Sequence, residues 1–273
     1  MSSLPTLVCV HAHPDDEAFF GAGATAHYAS LGHRVVLITC TNGALGFDPS
    51  GHVGNAKNHD RVATTSTRAG ELQRSAATLG FARQIMLGYE DSGMMGWDEN
   101  TNPDAFMNAD GEAVARTIAT ILDEESAAVV VTYDERGFYG HPDHVQANVV
   151  TRRAVALSTS VERLYYSVVP EGILTSLIEG AERIGLALPA FVLDAGVHVK
   201  DDVVATTLDV SSLVKVKHDA MAAHASQIDN EELVEMNDEL FALLFSTEYF
   251  QRAWARHDHG GDATDLLGGL SWD

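Results

Sequence analysis

Short, fully apolar runs recur along this chain, and each is followed by a segment with helical spacing. Leu7-Val8-Cys9-Val10, Val35-Val36-Leu37-Ile38 and Val129-Val130-Val131 are the clearest. Runs of this length with polar flanks read as strands buried on both faces. Between the first two lies Asp16 to Leu31, rich in alanine and closed by Gly32 as a C-cap. Strand, helix, strand in so few residues is a βαβ unit with a right-handed crossover. The pattern continues with a helix over Thr67–Leu79, a strand over 84–87, a helix over 111–125 and a strand over 127–132. A helix over 142–158 and a strand over 164–169 complete it. The fold expected is α/β: a Rossmann-like, mostly parallel sheet with helices on both faces.

The alternation loosens after residue 170. A helix over 171–184, strand-like pieces over 191–209 and helices near 212–225 and 231–244 read as a smaller C-terminal α+β extension. Residues 1–170 form the expected core, and 171–273 an extension packed on it without folding alone. Residues 41–66 and 88–110 have no apolar period and read as long loops, a length that usually accompanies function. The polar, glycine-rich stretch 256–273 is expected to fray.

With 39 acidic against 17 basic residues, the formal charge is −22, which repels nucleic acid and anionic membrane surfaces. No run reaches the roughly 18 apolar residues of a membrane span, and no signal-type stretch opens the chain. A soluble, cytoplasmic protein acting on a small molecule is the expectation. Cys9 and Cys40 fall inside buried strands and read as core thiols. The sequence carries no signal for an oligomeric state.

Two clusters carry chemistry. His11-Ala12-His13-Pro14-Asp15-Asp16-Glu17 follows the first strand, and Tyr139-Gly140-His141-Pro142-Asp143-His144 follows the fourth. Both therefore lie at carboxyl ends of parallel strands, where open α/β sheets bind ligands. His13 and Asp16, three apart, can share one face as strand turns into helix; His144 is the third ligand candidate. This His₂Asp set suits Zn²⁺, and Fe²⁺ as well, and leaves room for a water whose pKa the ion lowers. Asp15 stands beside the ligands, placed to take that water's proton, and His141 and Tyr139 can face an oxyanion or a leaving group. His11 reads equally as a supporting group or as filler at the strand end. His52 and His59 read as solvated loop residues, and His257 and His259 as tail residues. The first turn lacks the G-x-G-x-x-G of dinucleotide-binding folds.

His13-Pro14-Asp15-Asp16-Glu17 together with His141-Pro142-Asp143-His144 resembles the LmbE-like, or PIG-L, N-deacetylases. Weaker similarities follow in order: Thr41-Asn42-Gly43, Arg68-x-x-Glu71-Leu72, Asp91-Ser92-Gly93-Met94 and Lys217-x-x-Ala220-x-x-x-His224-x-Ser226-Gln227. The resemblance spans residues 7 to about 250. It implies zinc on His13, Asp16 and His144, with Asp15 as general base. It implies His141 as general acid or electrostatic stabiliser oriented by Asp143, and Tyr139 at the oxyanion. Arg68 and Asp91 would contact sugar hydroxyls, while Glu71, His224 and Gln227 would be architectural. The implied reaction is hydrolysis of an N-acetyl amide on an aminosugar, releasing acetate and a free amine. Ala44-Leu45 stand where some of these deacetylases carry acidic residues, which implies an apolar contact to the aglycone. Two other functions compete: an amidase for a larger thiol-conjugate amide, and a non-catalytic sugar-binding module with a structural metal.

Overall fold

Five of the apolar runs lie side by side as parallel strands. A computed structural model describes residues 4–188, 190–194, 196–227, 231–257 and 260–270. The strands are β1 (Thr6–His11), β2 (Val35–Thr41), β3 (Arg83–Tyr89), β4 (Ala127–Thr132) and β5 (Arg163–Pro170). They are followed by β6 (His198–Val199), β7 (Thr206–Asp209) and β8 (Thr247–Ala255). The sheet runs β3-β2-β1-β4-β5-β8-β7, with β6 paired to β5. β1 to β5 are mutually parallel; β8 runs antiparallel to both β5 and β7. The order 3-2-1-4-5 reverses direction between β1 and β4, so the switch point falls between the two strands that carry the clusters.

The helices are α1 (Asp16–Phe19), α2 (Ala22–Ser30), α3 (Arg61–Leu79), α4 (Gly111–Glu124), α5 (Gly137–Gly140) and α6 (Pro142–Leu157). After β5 come α7 (Ile173–Arg183), α8 (Val214–Ala222), α9 (Glu231–Val234) and α10 (Asp238–Phe245). The period of two sorts the strand residues by face. Val8, Val10, Val36, Ile38 and Val130 pack under α4 and α6. Leu7, Cys9, Leu37 and Val131 pack under α2 and α3. β1, β2 and β4 are buried along their whole length, which is why they read as unbroken apolar runs. Among the described residues no helix is long and apolar enough to cross a membrane.

Several boundaries move. The helix expected over 16–31 breaks at Phe20-Gly21, where Gly21 takes φ +79°. The second piece is restarted from a distance: the Glu248 carboxylate of β8 accepts the N–H groups of Gly23 (2.7 Å) and Ala24 (2.8 Å). A carboxylate there meets the positive end of the helix dipole. β8 itself was not anticipated, because its buried Glu248 spoils the apolar pattern. α3 begins at Arg61, six residues before the expected start, behind an Asp60 cap whose side chain accepts from Ala63 N (3.0 Å). Its first turns carry no apolar stripe to announce it. β8 and β7, contributed by the segment after 170, extend the same sheet.

The tail is pinned instead of frayed over residues 260–270. Arg163, fully buried, donates to the carbonyls of Gly260 (3.0 Å), Leu266 (3.1 Å) and Gly268 (2.8 Å). Tyr28 Oη donates to Asp265 and accepts from Leu266 N, each at 2.8 Å. A glycine-rich stretch with few apolar residues hides this, because its anchors are backbone carbonyls. His257 is exposed beside Glu162, and His259 lies outside the described residues.

Cys9 and Cys40 are buried core thiols. Burial pushes the Cys9 thiol up to about 12 against a contact with Thr25, and pushes Cys40 well above its ordinary value. Neither should react with a thiol reagent in the native protein at neutral pH. Titration is expected to give no labelling before denaturant and two thiols per chain after it.

Candidate active site

The first cluster occupies the turn from β1 into α1. Asp15 is the N-cap of α1, at φ 134° and ψ −27°, a conformation that L residues rarely adopt. Such a backbone costs about 1–3 kcal/mol and persists only where its surroundings hold it. Arg68, buried on α3, supplies part of that hold. It donates to Pro14 O (2.6 Å) and Gly43 O (2.7 Å) and pairs with the Asp15 carboxylate (3.0 Å). Gly43 is required for this approach: at φ +62°, a Cβ there would lie 2.7 Å from both an Arg68 nitrogen and the Pro14 ring.

The second cluster follows β4. His141 caps α6, its Nδ1 accepting from Asp143 N (3.1 Å), with Pro142 in the first turn. α6 then delivers Asp143 and His144 inward, both fully buried.

The two clusters meet. His13 Nδ1 lies 3.2 Å from His144 Nε2 and 3.4 Å from Asp16 Oδ2, and His144 Nε2 lies 3.3 Å from Asp16 Oδ1. Asp16 Oδ2 accepts His13 N (2.7 Å) and Tyr133 Oη (2.6 Å), which leaves Oδ1 toward His144. Donor atoms about 2.0–2.1 Å from a tetrahedral ion sit about 3.3 Å from one another. The pairwise spacings are close to that value, although Asp16 turns one oxygen, Oδ2, toward His13 and the other, Oδ1, toward His144. His141 is close enough to join, since His13, His141 and His144 offer donors within 4.8 Å of one another. A further set, His13 with Asp91, His141 and Asp143, lies on the other side of the His13 ring.

Asp143 departs from expectation. Its carboxylate does not orient His141; it accepts from His13 Nε2 (3.2 Å), from Ser92 N (2.9 Å) and from the Ser92 hydroxyl. With Nε2–H given to Asp143, the His13 Nδ1 lone pair faces Asp16 and His144. Only the backbone N–H of Asp143 reaches His141. Asp91 is buried and braces the loops, accepting from Leu45 N (3.2 Å) and Gly93 N (2.9 Å). His52 and His59 are likewise braces, not solvated groups: His52 Nδ1 meets Asp48 at 3.1 Å, and His59 Nε2 meets Gly46 O at 3.0 Å. His11 fills the strand end among Phe20 and Tyr133, and burial drives its pKa down to about 4, so it stays uncharged.

The neighbouring carboxylates are set apart electrostatically. Burial raises Asp15, with Arg68 opposing and the charge of Asp16 adding to the rise. Burial also works against Asp16, but His144 and His13 outweigh it and hold its carboxyl well below the usual range. Burial, then His13 and His144, push His141 down to about 2, so it is neutral near pH 7.

Tyr133 was missed in the sequence. It is buried, stacks on His144 at 4.1 Å, and its hydroxyl bridges Ala12 N (2.7 Å) to Asp16. Its one sequence signal was its place directly after β4. Tyr133→Phe removes the acceptor from the buried Ala12 N–H and is expected to cost about 1–3 kcal/mol, read as a lower melting temperature.

A cavity of about 560 Å³ opens over the cluster. His13, Asp15, Asp16, Arg68, Asp91 and His141 are among its polar lining. Leu45, Phe47, Trp97, Val169, Ile173 and Phe245 are among its apolar lining. Tyr139 stands at it with about half its surface exposed, following Phe138 at φ 64°.

Comparison with known proteins agrees with this architecture. Residues 8–155 match the PIG-L family, described as GlcNAc-PI de-N-acetylase. A relative from Streptomyces scabiei, a 1D-myo-inositol 2-acetamido-2-deoxy-alpha-D-glucopyranoside deacetylase, is 36% identical over 97% of this chain and 89% of its own. Among solved structures, N,N'-diacetylchitobiose deacetylase from Pyrococcus horikoshii aligns with a TM-score of 0.59 at 19% identity, over 90% of this chain and 83% of that one. A 4-carboxy-2-hydroxymuconate hydratase from Pseudomonas putida aligns comparably, at 0.58 and 15%, over 93% of this chain and 98% of that one. The fold therefore does not fix the reaction, and the sequence likeness carries the assignment: the chain belongs to the GlcNAc-PI de-N-acetylase, or PIG-L, family.

Proposed function

We propose that this protein is a metal-dependent deacetylase that hydrolyses the N-acetyl amide of an aminosugar. One observation carries the reading: three donors, two histidines and one carboxylate, converge from beyond the ends of two strands, while a second carboxylate, Asp15, stays outside the donor set and lines the cavity. His13, Asp16 and His144 would hold the cation. Bound there, it would polarise the acyl oxygen and acidify a water molecule. Asp15 accepts a proton from the attacking water and passes it to the departing nitrogen; acetate and the free amine leave. Its raised pKa suits both halves of that transfer. His141, with Nδ1 engaged by Asp143 N, keeps Nε2 for the cavity and acts there as a hydrogen-bond donor to the reacting groups. Tyr139 completes the surroundings of the developing oxyanion. Asp91 and Arg68 line the cavity and would meet the sugar from positions where both already brace the loops.

The relatives' named substrate makes a GlcNAc-inositol the first compound to test. Metal-loaded and metal-stripped protein should be compared on it and on simple N-acetylglucosaminides. Acetate release confined to the loaded protein is expected. No release from any of them with the metal in place overturns the deacetylase reading. The apolar walls favour a second reading, an amidase for a larger amide. Faster turnover of a bulky thiol-conjugate amide than of any N-acetyl sugar would establish it. A purely sugar-binding role leaves Asp15 without work in a strained backbone.

A further inference from the structure

We propose that Glu17 and His224 form a positioning pair that holds Asp15 in its working orientation. The inference rests on Asp15 being the proton-transfer group of the proposed reaction. Glu17 is buried in the first turn of α1, and its carboxylate is shared between the start of that helix and a distant histidine. Its Oε2 accepts the backbone N–H of Asp15 (3.0 Å), the peptide that carries the φ of 134°. Its Oε1 meets His224 Nε2 at 2.6 Å, with both side chains fully buried. His224 follows α8, more than two hundred residues downstream, and its loop is itself anchored. Ser226 donates through N (2.8 Å) and Oγ (2.7 Å) to Glu71 of α3, the helix that also carries Arg68. α3 therefore grips Asp15 twice: through Arg68 on the carboxylate, and through Glu71, the His224 loop and Glu17 on the peptide N–H. Two grips on adjacent parts of one residue fix both its backbone and its side chain. A strained backbone relaxes when one grip is lost, and a shift of about 1 Å can cost about a hundredfold in rate.

The test uses the metal-loaded full chain with His224→Ala and Glu17→Met, and His224→Gln as the variant that retains a donor near the Nε2 position. His224→Ala and Glu17→Met are expected to lower kcat about 10–100-fold with KM changed little and metal per chain unchanged. His224→Gln is expected to recover most of the loss. In an Asp15→Asn background, His224→Ala should add no further loss, because the group it positions is already gone. Crystal structures of the variants provide a readout free of substrate: Asp15 should leave its positive φ while His13, Asp16 and His144 stay in place. If the wild type hydrolyses no N-acetyl amide, the deacetylase reading fails, and the Asp15 backbone alone still decides the positioning. An unchanged Asp15 backbone, additive losses, metal loss in parallel with activity, or failure of both variants to fold overturns the proposal.

Discussion

Asp15→Asn is expected to lower kcat by roughly 10²–10⁴-fold, the usual worth of a positioned acid–base group. The substitution keeps shape and volume, so it isolates the proton. Asp16 is next in sequence but holds a different place, bonded to His13 N and Tyr133 Oη at the donor set. Metal content should therefore be untouched in Asp15→Asn. Arg68 keeps its bonds to the Pro14 and Gly43 carbonyls, so the turn should stay folded. Paired measurements of metal stoichiometry and steady-state rate check this. Rate loss without metal loss is the expected signature; a fall in both would place Asp15 among the ligands.

The second large effect is on affinity for the ion. Asp143→Asn weakens the carboxylate that takes the His13 Nε2 proton, at a site sealed from solvent. Partners of this kind are worth about 10–100-fold in metal affinity. Competition against a chelator of known strength measures it. Activity should return at high metal concentration, because His13, Asp16 and His144 remain. The same change loosens Ser92, which bonds Asp143 through both N and Oγ, so the 88–110 loop should exchange its amides faster.

The sequence carried these readings unevenly. β1, β2 and β4 were legible because their burial on both faces leaves no alternative to apolar side chains. β8 was not, because Glu248 inside it satisfies a helix end from another part of the chain. The meeting of His13, Asp16 and His144 followed from two short motifs placed after parallel strands. The partner of His13 did not, because Asp143 stands two residues from His141 in sequence yet faces away from that ring toward the other strand's histidine. Tyr133 lay outside both motifs, and nothing local marks a tyrosine whose hydroxyl joins a peptide N–H to a carboxylate over a hundred residues away. The tail was misread for a related reason: backbone carbonyls have no residue-type signature, so the clamp by Arg163 is invisible in composition.

The placement of the candidate donors beyond the ends of β1 and β4 would tie a bound ion to the assembly of the sheet itself. His13 and His144 are separated by 131 positions, and the β1–β4 ladder is what brings them together. A chain emerging during synthesis holds half the candidate donor set until β4 and α6 have docked, so an ion would reward the finished ladder and not any early fragment. By mass action a bound ion would then stabilise only the state in which that pairing is closed, by about 2.7 kcal/mol at a hundredfold excess over Kd. Ion affinity thereby becomes a gauge of the central ladder. Core substitutions that loosen β1 against β4, far from any donor atom, should register as weakened binding before they register as loss of fold.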